Sequence, residues 1–125
     1  MLEEINVIVD DEPGILAEIG ELLGSAGVNI ETLSASSHDG RGIINVVVDD
    51  GEDAAELLAQ NGFKVEGSRA VLTATLDDRP GELGRYCRKL AESGVNISTA
   101  YLMKRGGGES ELIFAVDNLE LAQKV

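Results

Sequence analysis

Aromatic residues make up only 3% of this chain, and tryptophan is absent. Its core must therefore come from Val, Ile, Leu and Ala, and few rings are left on which unpaired bases could stack. Positive charge is also scarce: 10 Lys and Arg stand against 23 Asp and Glu, a net charge of −13. A phosphate backbone is repelled by such a surface, so nucleic acid is excluded as the expected partner. With one cysteine, Cys87, no disulfide can close within the chain. No apolar run approaches the length needed to span a membrane, and Met1-Leu2-Glu3-Glu4 is acidic where a signal peptide is basic. These absences lead us to expect a soluble, cytoplasmic protein.

Proline occurs only twice, and both times in one setting. Asp10-Asp11-Glu12-Pro13-Gly14 recurs further on as Asp77-Asp78-Arg79-Pro80-Gly81. The offset that carries Pro13 to Pro80 also carries Gly27-Val28-Asn29-Ile30 to Gly94-Val95-Asn96-Ile97. It carries Leu16 to Leu83, Leu23 to Leu90 and Thr32 to Thr99 as well. One offset held over so many positions marks a duplication. We place the copies at residues 1–67 and 68–125, with Gly67-Ser68-Arg69 as the joint.

Each copy reads in the same order. β-Branched runs at 5–9 and 71–76 have strand character. Asp-x-Pro-Gly follows, with Pro expected in the first helical turn. Ile15, Leu16, Ile19, Leu22, Leu23 and Ala26 then recur at helical spacing, as do Leu83, Tyr86, Cys87, Leu90 and Ala91. Gly27 and Gly94 stop these helices. Strands are expected at 29–34 and 96–102, turn-rich segments at 36–42 and 104–108, and strands again at 43–48 and 111–116. Asp50 and Asp117 look like N-caps of second helices, Asp117 with Glu120 in a capping box. Phe63–Glu66 supplies a fourth strand in the first copy, without a counterpart in the second. The expected class is α+β: two ferredoxin-like βαββαβ modules with antiparallel sheets, the second without its last strand.

The Asp-x-Pro-Gly loop admits two readings. Asp11 and Asp78 can accept hydrogen bonds from free amides of the first helical turn. Alternatively those amides receive a ligand carboxylate, with Gly14 and Gly81 allowing close approach. Asn29 and Asn96 are either turn residues or amide groups able to serve both ends of a zwitterion. The carboxylate pairs Asp10-Asp11, Asp49-Asp50 and Asp77-Asp78 offer no complete metal-ligand set. His38 reads as a solvent-facing turn residue, Cys87 as an inert core thiol, and Gly106-Gly107-Gly108 as a hairpin. Neither a nucleophile–base pair nor a cofactor fingerprint is visible, so we expect no catalysis, metal or cofactor.

The pattern strand–Asp-x-Pro-Gly-x-Leu–helix–Gly-Val-Asn-Ile resembles the ACT domain, a regulatory module of amino-acid metabolism, over nearly all of both copies. The resemblance implies amino-acid binding where two modules meet. It implies contacts from Asp11 and Asp78, in loops where Pro13, Gly14 and Gly81 shape the approach and Arg79 offers a donor fork to a carboxylate. Asn29 with Ile30, and Asn96 with Ile97, complete the sites, Asp78 working with Asn29 and Asp11 with Asn96. The sequence departs from the serine-binding type, which carries Asn where Asp11 and Asp78 stand and His where Val9 and Leu76 stand. The expected partners are a small-molecule amino acid and either further copies of the chain or a metabolic enzyme. The alternative is a regulatory subunit of an amino-acid biosynthetic enzyme, of the acetolactate-synthase small-subunit type, acting mainly by protein contact.

Overall fold

The computed structural model covers Met1–Val125 and forms two compact units, Met1–Ala70 and Val71–Val125. In the first, β1 (Leu2–Asp10), α1 (Ile15–Ser25), β2 (Ile30–His38), β3 (Arg41–Asp49), α2 (Gly51–Gln60) and β4 (Lys64–Ala70) follow in βαββαβ order. The antiparallel sheet has the order β2-β3-β1-β4. Strand alternation sends Ile5, Val7, Ile44, Val46 and Val48 to the helix side, where Ile19 and Leu23 of α1 and Ala54 and Leu58 of α2 close the core. Each Val, Ile or Leu among them contributes about 1.5–3 kcal/mol on burial.

The second unit repeats the plan with β5 (Leu72–Asp77), α3 (Glu82–Glu92), β6 (Ile97–Gly106), β7 (Glu109–Val116) and a four-residue α4 (Leu119–Ala122). Its sheet has three strands in the order β5-β7-β6. Leu72, Leu90, Val95, Leu112 and Phe114 are among its core residues, and the rings of Phe114 and Tyr86 lie 5.5 Å apart. Both units are ferredoxin-like. The duplication extends to an irregularity: the pairing register shifts between Ile30 and Thr32 and again between their counterparts, Ile97 and Thr99. No helix is long and apolar enough to cross a membrane.

Several local expectations give way to longer-range partners. The turn-rich segment at 36–42 is mostly strand. Its turn shrinks to Asp39-Gly40, both at positive φ (51° and 78°), as in the primed turns that suit hairpin twist. Gly67-Ser68-Arg69 is not a joint but the body of β4, paired with β1. Asp50 precedes α2 but caps nothing with its side chain; Glu3, brought alongside by β1, accepts from the Gly51 amide at 3.2 Å instead. Asp117 accepts from the Asn96 amide at 2.9 Å, and the cap of α4 is Asn118.

On the sheet face away from the helices, unit 1 carries a hydrogen-bonded polar row that the sequence does not announce. Asn45 donates to Ser34 (3.2 Å), Asn6 to Asn45 (2.7 Å) and to Glu4 (3.0 Å), and Arg69 to Glu4 (3.2 Å). The row follows the pairs Ser34↔Asn45, Asn6↔Asn45 and Glu4↔Arg69 across all four strands. Glu4 is fully buried, a position a carboxylate tolerates only when paired and hydrogen-bonded.

Candidate functional site

In both units the Asp-x-Pro-Gly loop carries the chain from the sheet into the first helix. The helix N-cap is the glycine, Gly14 or Gly81, in left-handed conformation (φ 93° and 90°), and no side chain caps the helix. Pro13 and Pro80 therefore lie ahead of the helix, in the turn, and Asp11 and Asp78 do not serve as caps. The Asp11 amide is tied to the Gly40 carbonyl (3.0 Å) and the Asp78 amide to that of Gly108 (2.9 Å), which fixes each loop against its hairpin. In α1 the first amide bonded within the helix is that of Glu18, to Gly14. The amides of Ile15, Leu16 and Ala17 come before it and carry the positive end of the helix dipole.

Ile15 and Leu16 border a cavity of about 220 Å³ whose lining also includes Asp11, Glu12, Ser36 and Ile44. Its walls combine hydroxyls and carboxylates with apolar side chains, the mix expected of a small-molecule site. The Asp11 carboxylate has no ion-pair or hydrogen-bond partner. A wider cavity of about 740 Å³ lies at the far end of α1, lined by Asn29 together with Glu31, Asp49, Asp50, Asp53 and Glu56. Five carboxylates, with only the Met1 ammonium beside them at 3.1 Å from Asp49, would repel a ligand carboxylate there. The hydrogen bond and charge of Asp53 hold the Asp50 carboxyl above its ordinary range.

Unit 2 presents the same backbone with different electrostatics. Arg105 pairs with Asp78 at 3.1 Å. Arg79 is held by Asp77 at 2.9 Å and Glu82 at 3.3 Å, and Arg85 also reaches Glu82, at 3.2 Å. Unit 1 holds 15 of the 23 acidic residues and 3 of the 10 basic ones, unit 2 the remaining 8 and 7. Asp11 of unit 1 is without an ion pair, although Arg41 and Lys64 line another cavity with Asp10 and Glu12, whereas Asp78 of unit 2 is paired.

Asn29 and Asn96 follow the C-termini of α1 and α3. The Asn29 amide donates to Glu31 at 3.2 Å, whereas Asn96 bonds Asp117 through its backbone. Eleven helical residues separate each asparagine from the loop of its own unit, roughly 16 Å at 1.5 Å per residue. Within a unit, then, the fold does not bring Asp11 to Asn29 or Asp78 to Asn96. Ile30 and Ile97 open β2 and β6 and pack against the cores. His38 sits exposed at the hairpin, 3.4 Å from Asp39. Cys87 is half-buried, and burial pushes its thiol up, away from the reactive thiolate. No group of three or more His, Cys, Asp or Glu side chains is placed to hold a metal. Arg105, Ser36 and Ser37 carry no motif that would single them out in the sequence, and they enter the site through hairpin pairing.

Residues 4–60, most of the first unit, match the family model of the ACT domain. The second unit repeats the motifs of the matched segment and its order of elements as far as the second helix. A comparison with curated proteins returns no match. Among solved structures, a Bacteroides thetaiotaomicron protein superposes with a TM-score of 0.84 at 21% identity, over 98% of this chain and 83% of its own. The regulatory subunit of aspartate kinase from Thermus thermophilus gives 0.75 at 18%, over 98% and 89%. A structure of aspartokinase alpha and beta subunits gives 0.74 at 20%, over 98% and 88%. At these identities the likeness is one of fold.

Proposed function

We propose that the chain is a non-catalytic, cytoplasmic regulator that binds a free amino acid at the loop before a first helix and reports it through protein association. The observation that carries this reading is the uncapped start of α1, facing a 220 Å³ cavity beside an unpartnered Asp11 carboxylate. Helix amides receive a ligand carboxylate, and Asp11 receives the ammonium through charge-assisted hydrogen bonds. Ser36 and Ser37 offer further polar contacts, and Leu16 and Ile44 leave room for a small side chain. Asn29 and Asn96, too far from their own loops, are available to a ligand held by another module. Binding acts on an assembly only if the ligand prefers one associated state over another. Thermal denaturation against each of the twenty amino acids tests the proposal. A ligand of the native state raises the melting temperature, and no response to any of them would overturn it.

A second reading, in which the chain is the regulatory subunit of an amino-acid biosynthetic enzyme, draws on the shared fold of the aspartate kinase regulatory subunit. It differs in requiring a stable enzyme partner without ligand, which co-purification with and without the amino acid distinguishes.

A further inference from the structure

We propose that Arg105 is a built-in occupant of the second unit: at Asp78 its guanidinium takes the place that a ligand ammonium takes at Asp11. The first unit is then the sensing unit and the second is closed. The inference rests on the reading of the Asp-x-Pro-Gly loop as an amino-acid site, and it goes further by assigning the two copies different roles.

In the register that aligns Pro13 with Pro80, Asp78 is the counterpart of Asp11, Arg79 of Glu12 and Glu82 of Ile15. Past the register shift between Leu102 and Lys104 the second hairpin runs one residue longer, so Arg105, opposite Ser110, stands where Ser37, opposite Gly42, stands in the first. Both hairpins bring the last residues of their first strand to the loop, as the bonds from Asp11 to Gly40 and from Asp78 to Gly108 require. In unit 2 the hairpin residue is an arginine, long enough to place Nε 3.1 Å from an Asp78 carboxylate oxygen. In unit 1 it is Ser37, which carries no charge, and the neighbouring His38 turns its ring to Asp39 at 3.4 Å, so Asp11 is left without an ion-pair partner. Arginine stays charged at every accessible pH and presents a fixed donor fork, so the occupant of Asp78 does not titrate away.

The other end of a zwitterion fares no better in unit 2. Arg79 could have received a carboxylate, but Asp77 and Glu82 already engage its guanidinium. A free amino acid must displace protein groups at both ends there and at neither end in unit 1. Because both ion pairs are partly exposed, each is a modest competitor, roughly fivefold in affinity. Together they separate the copies by roughly tenfold or more.

Carboxylate labelling with a carbodiimide and methylamine, read peptide by peptide by mass spectrometry, tests the assignment without a ligand. In the native chain Asp11 should label several-fold faster than Asp78. Arg105→Gln should bring Asp78 up to the rate of Asp11 and leave Asp11 unchanged, and Arg105→Lys should keep most of the protection. Equal labelling in the native chain, or protection of Asp78 that survives Arg105→Gln, would overturn the proposal. Calorimetry with each of the twenty amino acids adds the functional arm. The native chain should bind one equivalent, and Arg105→Gln should reveal a second, weaker site; two equal sites in the native chain would also overturn it. If none of the twenty binds, the amino-acid reading of the loop fails, and labelling alone still decides whether Arg105 occupies Asp78.

Discussion

Two glycine-to-alanine substitutions, one at the cap of α1 and one in its interior, should shift stability in opposite directions. Gly14 is the N-cap, at φ 93°, and Gly20 lies inside the helix; at both, an added Cβ meets nothing within 4 Å. Sterics therefore cancel and only the backbone angle differs. At Gly14 an alanine must adopt a left-handed conformation, which costs about 1–2 kcal/mol. The less flexible unfolded chain offsets roughly 0.4–1 kcal/mol of that, leaving a net loss of about 1 kcal/mol. At Gly20 the same methyl group removes the helix penalty of glycine, a gain of about 0.5–1 kcal/mol. For a domain of this size a change of about 1 kcal/mol moves the melting temperature by about 4–8 °C, within easy reach of calorimetry or denaturant titration. Gly14→Ala should also weaken amino-acid binding, since relief of the strain turns the first-turn amides away from the cavity, whereas Gly20→Ala should leave affinity unchanged. Shifts of the same sign and size at both positions would show that the backbone angle at Gly14 does not set the stability of this turn.

The remaining expectations concern the core and the acidic end of unit 1. Leu58→Ala removes a fully buried side chain that seats α2 on the sheet and should cost about 2–5 kcal/mol in urea denaturation; a loss below ~1 kcal/mol would show that α2 is not held by this contact. Asp50→Asn should raise the melting temperature at pH 7. The Asp50 carboxyl is held above its ordinary pKa by Asp53, and also by Asp49 and Glu3. Its folded pKa thus exceeds the unfolded one, and its contribution is fully favourable only below the unfolded value and is lost as pH rises through the folded one. The advantage of the variant should shrink as the pH falls towards the carboxylate range. A gain that persists unchanged at low pH would trace the effect to the left-handed backbone of Asp50 (φ 60°) instead.

What the amino-acid order determined by itself was periodic or repeated. The constant offset between the copies marks two modules, and helical spacing from Ile15 to Ala26 and β-branched runs mark their elements. Such signals are legible because each depends on backbone preference or on side chains a few residues apart. The loops as candidate sites could be read for the same reason. Tertiary structure decided the partners. Glu3 caps α2 across 48 residues, Arg105 reaches Asp78 across a hairpin, and Ser34, Asn45, Asn6, Glu4 and Arg69 line up only because the strand registers set them side by side. An ion pair or hydrogen bond is chosen by distance in space, and cross-strand register fixes that distance. A carboxylate such as Asp78 therefore reads in the sequence as an open site and proves in the fold to be filled.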